Sequence, residues 1–230
     1  MQLLFYVFVC QILQTLCISK GRQERISKTM EKIMQTKKKT KVALLTLLEC
    51  AIMVALATVL GFYKIKFGWG YGGSITLASM IPLVIIAYRH GPVIGCLTGC
   101  LYGCVNMLTD IGTFAYVPAK TLLVYAAVIL LDYIIAFGVI GLAGLFRKKV
   151  TNHIKGAAWA AAGAAFAITL RLVCHFLSGV LIWGEYAGDS SVILYSLGYN
   201  AGYMIPEIII TSVAIMFIVP RVIDIFKPKS

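Results

Sequence analysis

Long apolar intervals, separated by short charged or turn-forming segments, set the pattern of this chain. Six of them, at about 42–63, 68–88, 91–109, 121–146, 156–183 and 191–219, read as helices of the roughly 20 residues needed to cross a hydrocarbon layer. The second is the weakest. Its apolar part, Ile75 to Tyr88, is short for a span unless the Gly-rich stretch before it is tucked into the protein. In the third span Gly91, Gly95, Gly99 and Gly103 recur every fourth residue, with Cys96, Cys100 and Cys104 one step round, a surface that lets a neighbouring helix approach closely. The Ala-rich run from Gly156 to Ala167 is a second packing face. Ala51 and Ala55 form a third small-residue pair, for which docking of another membrane subunit is an alternative to internal packing.

Composition makes these intervals membrane spans rather than buried core helices. The 230 residues are 60% hydrophobic and 13% charged. Their mean hydropathy is +0.89. The expected fold is therefore an all-α integral membrane protein with six transmembrane helices and no soluble catalytic domain. The net charge of +12 then becomes a question of sidedness. Lys37, Lys38, Lys39, Lys41, Arg89, Arg147, Lys148, Lys149, Lys155, Arg221, Lys227 and Lys229 fall at one set of helix ends. Only Lys64, Lys66 and Lys120 fall at the other. Both ends of the six-helix unit are thus expected in the cytoplasm, with loops 64–74, 110–120 and 184–190 outside, and nucleic acid is not an expected partner. Residues 1–41 stand apart as an apolar and then basic extension. It reads as an extra anchor, a signal-like segment, or read-through from a start upstream of Met30 or Met34. The expected divisions are 1–41, the membrane domain 42–220, and a basic cytoplasmic tail 221–230.

Charge inside the spans is rare and costly, about 2.5–3.5 kcal/mol per group near the bilayer centre, so each instance calls for a partner or a purpose. Glu49, Asp132, Arg171, His175 and Glu207 are the candidates. Asp132 lies ~16 Å along a helix starting near Thr121, close to mid-bilayer. Arg171 and His175 share a helix face, and Arg171 is expected to pair with Glu207, leaving Asp132 for a ligand; an Arg171–Asp132 pair is the alternative. Tyr186 and Tyr71 fit an interfacial aromatic belt, but Tyr195, Tyr199 and Tyr203, spaced by four beside Asn200, descend too far for one. Aromatic faces around a buried carboxylate suit a flat, cationic heteroaromatic molecule entering from outside. The seven cysteines all lie in apolar runs without metal-ligand spacing, and neither a phosphate-binding loop nor a hydrolase or metalloprotease motif occurs. No metal, cofactor or enzymatic activity is expected.

The stretches GGSITLASMIP (72–82), LLDYIIAFGVIGLAGLF (130–146), CHFLSGVLIW (174–183) and YSLGYNAGYMIP (195–206), in this order, resemble the thiamine-specific S components of energy-coupling factor (ECF) transporters, the ThiT/YuaJ family. The resemblance covers about residues 42–220. It implies a subunit of a prokaryotic cell membrane that captures thiamine from outside and docks on a transmembrane T subunit with two ATPases. By the same resemblance, the acid that holds the aminopyrimidine falls on Asp132, followed by Tyr133. The pocket histidine and tryptophan fall on His175 and Trp183, the helix-six pair on Tyr195 and Asn200, and a lid aromatic on Trp69. Ala51 and Ala55 match the pair by which family members dock. Where some members carry a second acid and a Trp before it, this chain has Leu77 and Gly73. The alternatives are an S component for another vitamin or for the hydroxymethylpyrimidine precursor and, from another class, a membrane enzyme or a structural membrane subunit.

Overall fold

The computed structural model describes residues 2–66, 74–76, 78–151 and 154–226. Helix α1 (Gln2–Phe62) is followed by a two-stranded hairpin, β1 (Lys64–Lys66) and β2 (Ser74–Thr76), then α2 (Met80–His90) and α3 (Pro92–Thr109). A 3-10 turn, Ile111–Tyr116, leads into a composite helix made of α4 (Leu122–Val128), a π-helical segment Ile129–Ile134, α5 (Ile135–Gly138) and a 3-10 stretch Val139–Phe146. Helix α6 (Ile154–Leu181), a 3-10 turn Trp183–Ala187 and α7 (Val192–Phe226) complete the chain. The chain divides into two compact units, residues 1–48 and 49–230. The first is a stretch of α1, in which the Thr29, Thr36, Thr40 and Thr46 hydroxyls donate to the carbonyl four residues back.

Five helical stretches among the described residues have the length and hydropathy to cross a membrane: Lys28–Phe62, Pro92–Thr109, Leu122–Phe146, Ile154–Leu181 and Val192–Val222. Large apolar side chains such as Leu97, Leu101, Leu122, Leu123, Ile209 and Phe217 stay on their outer faces, where lipid rather than protein meets them. The second expected span, 68–88, is corrected. Its helix, α2, has 11 residues and so rises only ~16 Å, and the antiparallel hairpin, with Ile65 opposite Ile75, stands before it. The alternating KIK and SIT sequences, with β-branched residues between polar ones, favour strands over a helical turn there.

Gly91 separates α2 from α3. Its φ of 93° is open to glycine, and Pro92 then starts the next helix without a wasted N–H. The glycine repeat in α3 packs inside the protein, as the sequence suggests. A Cβ on Gly99 would sit 2.2 Å from the Phe137 carbonyl oxygen, and one on Gly103 2.5 Å from that of Tyr133, so α3 meets the composite helix backbone to backbone. The Ala-rich face of α6 is buried too: Ala160, Ala164 and Ala167 are fully covered, and Tyr88 donates to the Ala160 carbonyl at 2.5 Å. On α1, Cys50, Val54 and Ala57 face inward while Ala51 and Ala55 are exposed. Glu49 is not an isolated intramembrane acid. It accepts from Arg89, and its Oε2 lies 2.7 Å from His90 Nε2, tying α1 to the end of α2.

Candidate functional site

Helices α2, α3, the composite helix, α6 and α7, with the 3-10 turns Ile111–Tyr116 and Trp183–Ala187, enclose a cavity of about 530 Å³, within the range of small-molecule sites. Its chemistry centres on Asp132. The Oδ2 atom accepts from Ser178 Oγ at 2.8 Å and from Trp183 Nε1 at 3.1 Å, and Oδ1 lies 3.2 Å from His175 Nδ1. One stretch of chain supplies all three groups. His175 and Ser178 are three apart on α6, hence on one face, and Trp183 opens the turn that follows. A carboxylate with several hydrogen-bond partners can stay charged out of bulk water, which an isolated acid cannot. The Nε2 atom of His175 is buried with no hydrogen-bond partner among the described residues.

The opposite wall is aromatic. Tyr195, Tyr199 and Tyr203 run down α7 with successive ring centroids 6.1 and 6.0 Å apart, and Tyr203 stands edge-on to His175 at 6.4 Å. Tyr133 lies parallel to Phe114 at 6.0 Å, and Tyr102 meets Phe137 edge-on at 4.8 Å. Asn200 cross-links the two helices that carry the site. Its Nδ2 donates to the Ser196 carbonyl at 2.9 Å and reaches the His175 carbonyl at 3.3 Å, while its Oδ1 accepts from Tyr203 at 2.9 Å. Ser196 adds a second link, donating to the Phe176 carbonyl at 2.8 Å. The space for this contact comes from Gly179, where a Cβ would meet Ser196 Oγ at 2.1 Å.

The structure thus brings Asp132, Tyr133, His175, Trp183, Tyr195 and Asn200 to one cavity. Ala51 and Ala55 lie on α1 and do not line it, and Trp69 lies outside the described residues, as do Gly73 and Leu77. Arg171 pairs with Glu207, 3.3 Å apart, rather than with Asp132. Tyr186 is more than a belt residue: it lines the cavity and donates to the Tyr116 carbonyl at 2.6 Å, joining two loop segments at its rim. Sequence reasoning missed Ser178, and with it the full set of donors around Asp132. Its position one turn after His175, on the face that already carried Arg171, was the available signal.

Comparison with known proteins bears on this arrangement. The thiamine transporter protein family (Thia_YuaJ) matches residues 47–227, which is most of the chain. The chain belongs to that family. It is 35% identical to the thiamine transporter ThiT of Bacillus subtilis over 180 residues, covering 75% of this chain and 88% of that protein. It is 29% identical to the thiamine transporter ThiT of Lacticaseibacillus paracasei over 195 residues, covering 81% and 92%. The structure of ThiT from Listeria monocytogenes superposes with a TM-score of 0.66 at 28% identity, covering 81% of this chain and 99% of that one. Family membership and the apolar helices together make this a multi-pass integral membrane protein of the prokaryotic kind.

Proposed function

We propose that this protein is the thiamine-binding subunit, or S component, of an ECF-type importer. It takes thiamine from the outer side and docks on a T subunit with two ATPases that drive uptake. The single observation that carries the reading is the Asp132 cluster: a carboxylate held by Ser178, Trp183 and His175, facing a wall of tyrosines in a cavity of vitamin size. Asp132 accepts the amine of the aminopyrimidine, a charge-assisted hydrogen bond. Tyr195 and its neighbours stack on the rings, and their faces attract the permanently cationic thiazolium. His175, Trp183, Tyr133 and Asn200 shape the site, and Trp69 serves as the lid aromatic. The exposed Ala51 and Ala55 form the docking surface for the T subunit. ATP hydrolysis belongs to the partners, and the chain needs no cofactor.

Trp183 donates to the residue that meets the ligand, so its emission reports binding directly. Thiamine added to the purified protein quenches intrinsic tryptophan fluorescence in a saturable way, and unlabelled hydroxymethylpyrimidine or other vitamins compete weakly. A vitamin that displaces thiamine, or a precursor that binds more tightly, would assign the site to that compound instead.

A further inference from the structure

The cavity wall carries a cation as well as an acid. Arg171, His175 and Ser178 follow one another at i, i+4 and i+7 along α6, so they share one face, with the Arg171 and His175 Cα atoms ~6 Å apart along the helix axis. Arg171 lines the cavity, whereas Glu207, which faces it from α7, does not. The two form a buried pair, Nη1 to Oε2 at 3.3 Å, with side chains 8% and 2% exposed. Around the rest of the guanidinium there is little to balance its charge. The Cζ atom is 4.4 Å from the Phe137 ring centroid, Met80 Sδ is 3.9 Å from Nη1, and Nε is buried with no hydrogen-bond partner among the described residues. The acids on the cavity wall itself are Asp132 and Asp110.

We propose that Glu207 is a specificity-determining residue that acts through Arg171. By neutralising the guanidinium from behind the wall, it leaves the acidic side of the cavity, centred on Asp132, as the charge the ligand meets. The site therefore prefers a cation over a neutral molecule with the same hydrogen-bonding groups. Without Glu207 the guanidinium is a free cation at the cavity wall, positioned to repel a cationic ligand and to compete for Asp132. The inference rests on the thiamine reading above, because thiamine and its neutral hydroxymethylpyrimidine precursor share the aminopyrimidine and differ in the thiazolium charge.

The test is calorimetric titration of the purified protein with both compounds, read as the precursor's dissociation constant divided by thiamine's. Glu207→Gln keeps the side chain's shape and removes its charge. A unit charge ~10 Å from the ligand at an effective dielectric near 20 lowers that ratio about tenfold. The double variant Arg171→Met with Glu207→Gln removes both charges and recovers most of the loss, since neutral replacements of a buried ion pair are often tolerated. Equal weakening of both ligands in Glu207→Gln, or no recovery in the double variant, overturns the proposal. If Glu207→Gln does not yield folded protein, Arg171→Met decides: a ratio at or above the wild-type value supports the proposal, and a lower one overturns it. A wild-type protein that binds neither compound refutes the thiamine reading rather than the role of Glu207.

Discussion

Asp132 is held rather than merely buried. Both donors to Oδ2 come from the α6 end, and an amide in place of the carboxylate has one oxygen to accept with and an NH2 that faces donors. Asp132→Asn is expected to weaken thiamine binding at least about tenfold, because charged hydrogen bonds contribute roughly 1.5–3 kcal/mol each. Ser178→Ala removes one neutral-donor hydrogen bond without adding bulk. It is expected to cost about threefold to tenfold in affinity, measured by the same fluorescence titration. Asp132, His175 and the tyrosine stripe were legible in the sequence because charge and regularly spaced aromatics stand out within apolar runs. Ser178 was not, since a serine in a membrane helix is cheap to bury and only its partner across the cavity reveals what it does. The Arg171–Glu207 pair was legible from depth alone, as the two groups lie at similar levels of adjacent spans.

At the scale of elements, close helix contact explains the small residues. Gly99→Leu forces a side chain against the Phe137 carbonyl and is expected to abolish folded yield in detergent, judged by size-exclusion chromatography. Gly198→Ala is the control: nothing among the described residues lies within 4 Å of its added Cβ on α7, and alanine favours the helix by about 0.5–1 kcal/mol, so the melting temperature should stay level or rise. The glycine repeat announced this packing in the sequence because its period matches a helix face. Two local departures were not announced. The hairpin before α2 joins a strand from the expected loop 64–74 to one, Ser74–Thr76, inside the expected span 68–88, whose apolar part was already short. The π-helical segment Ile129–Ile134, which carries Asp132 and Tyr133, leaves no mark in hydropathy, since it changes hydrogen-bond register and not composition. Such segments recur at functional sites, and here one presents two consecutive residues to the cavity.

For the whole molecule, the proposed function puts the cavity at the outer face by the distribution of lysine and arginine, and gives docking to Ala51 and Ala55 on α1, which do not line the cavity. On that proposal ligand capture and partner docking are separable. Replacing Ala51 and Ala55 with tryptophan fills a surface that the described residues leave exposed. Binding of thiamine by the purified double variant should match wild type, and uptake of labelled thiamine by cells that also supply the T subunit and ATPases should be lost. The central claim is that the Asp132 cavity is a thiamine site, and calorimetric titration of the purified protein with thiamine tests it most directly, with the Asp132→Asn variant run beside it. The account predicts saturable one-to-one binding by wild type and an isotherm weakened at least about tenfold in the variant. Absence of binding by folded wild type, or equal affinity in the two proteins, would contradict it.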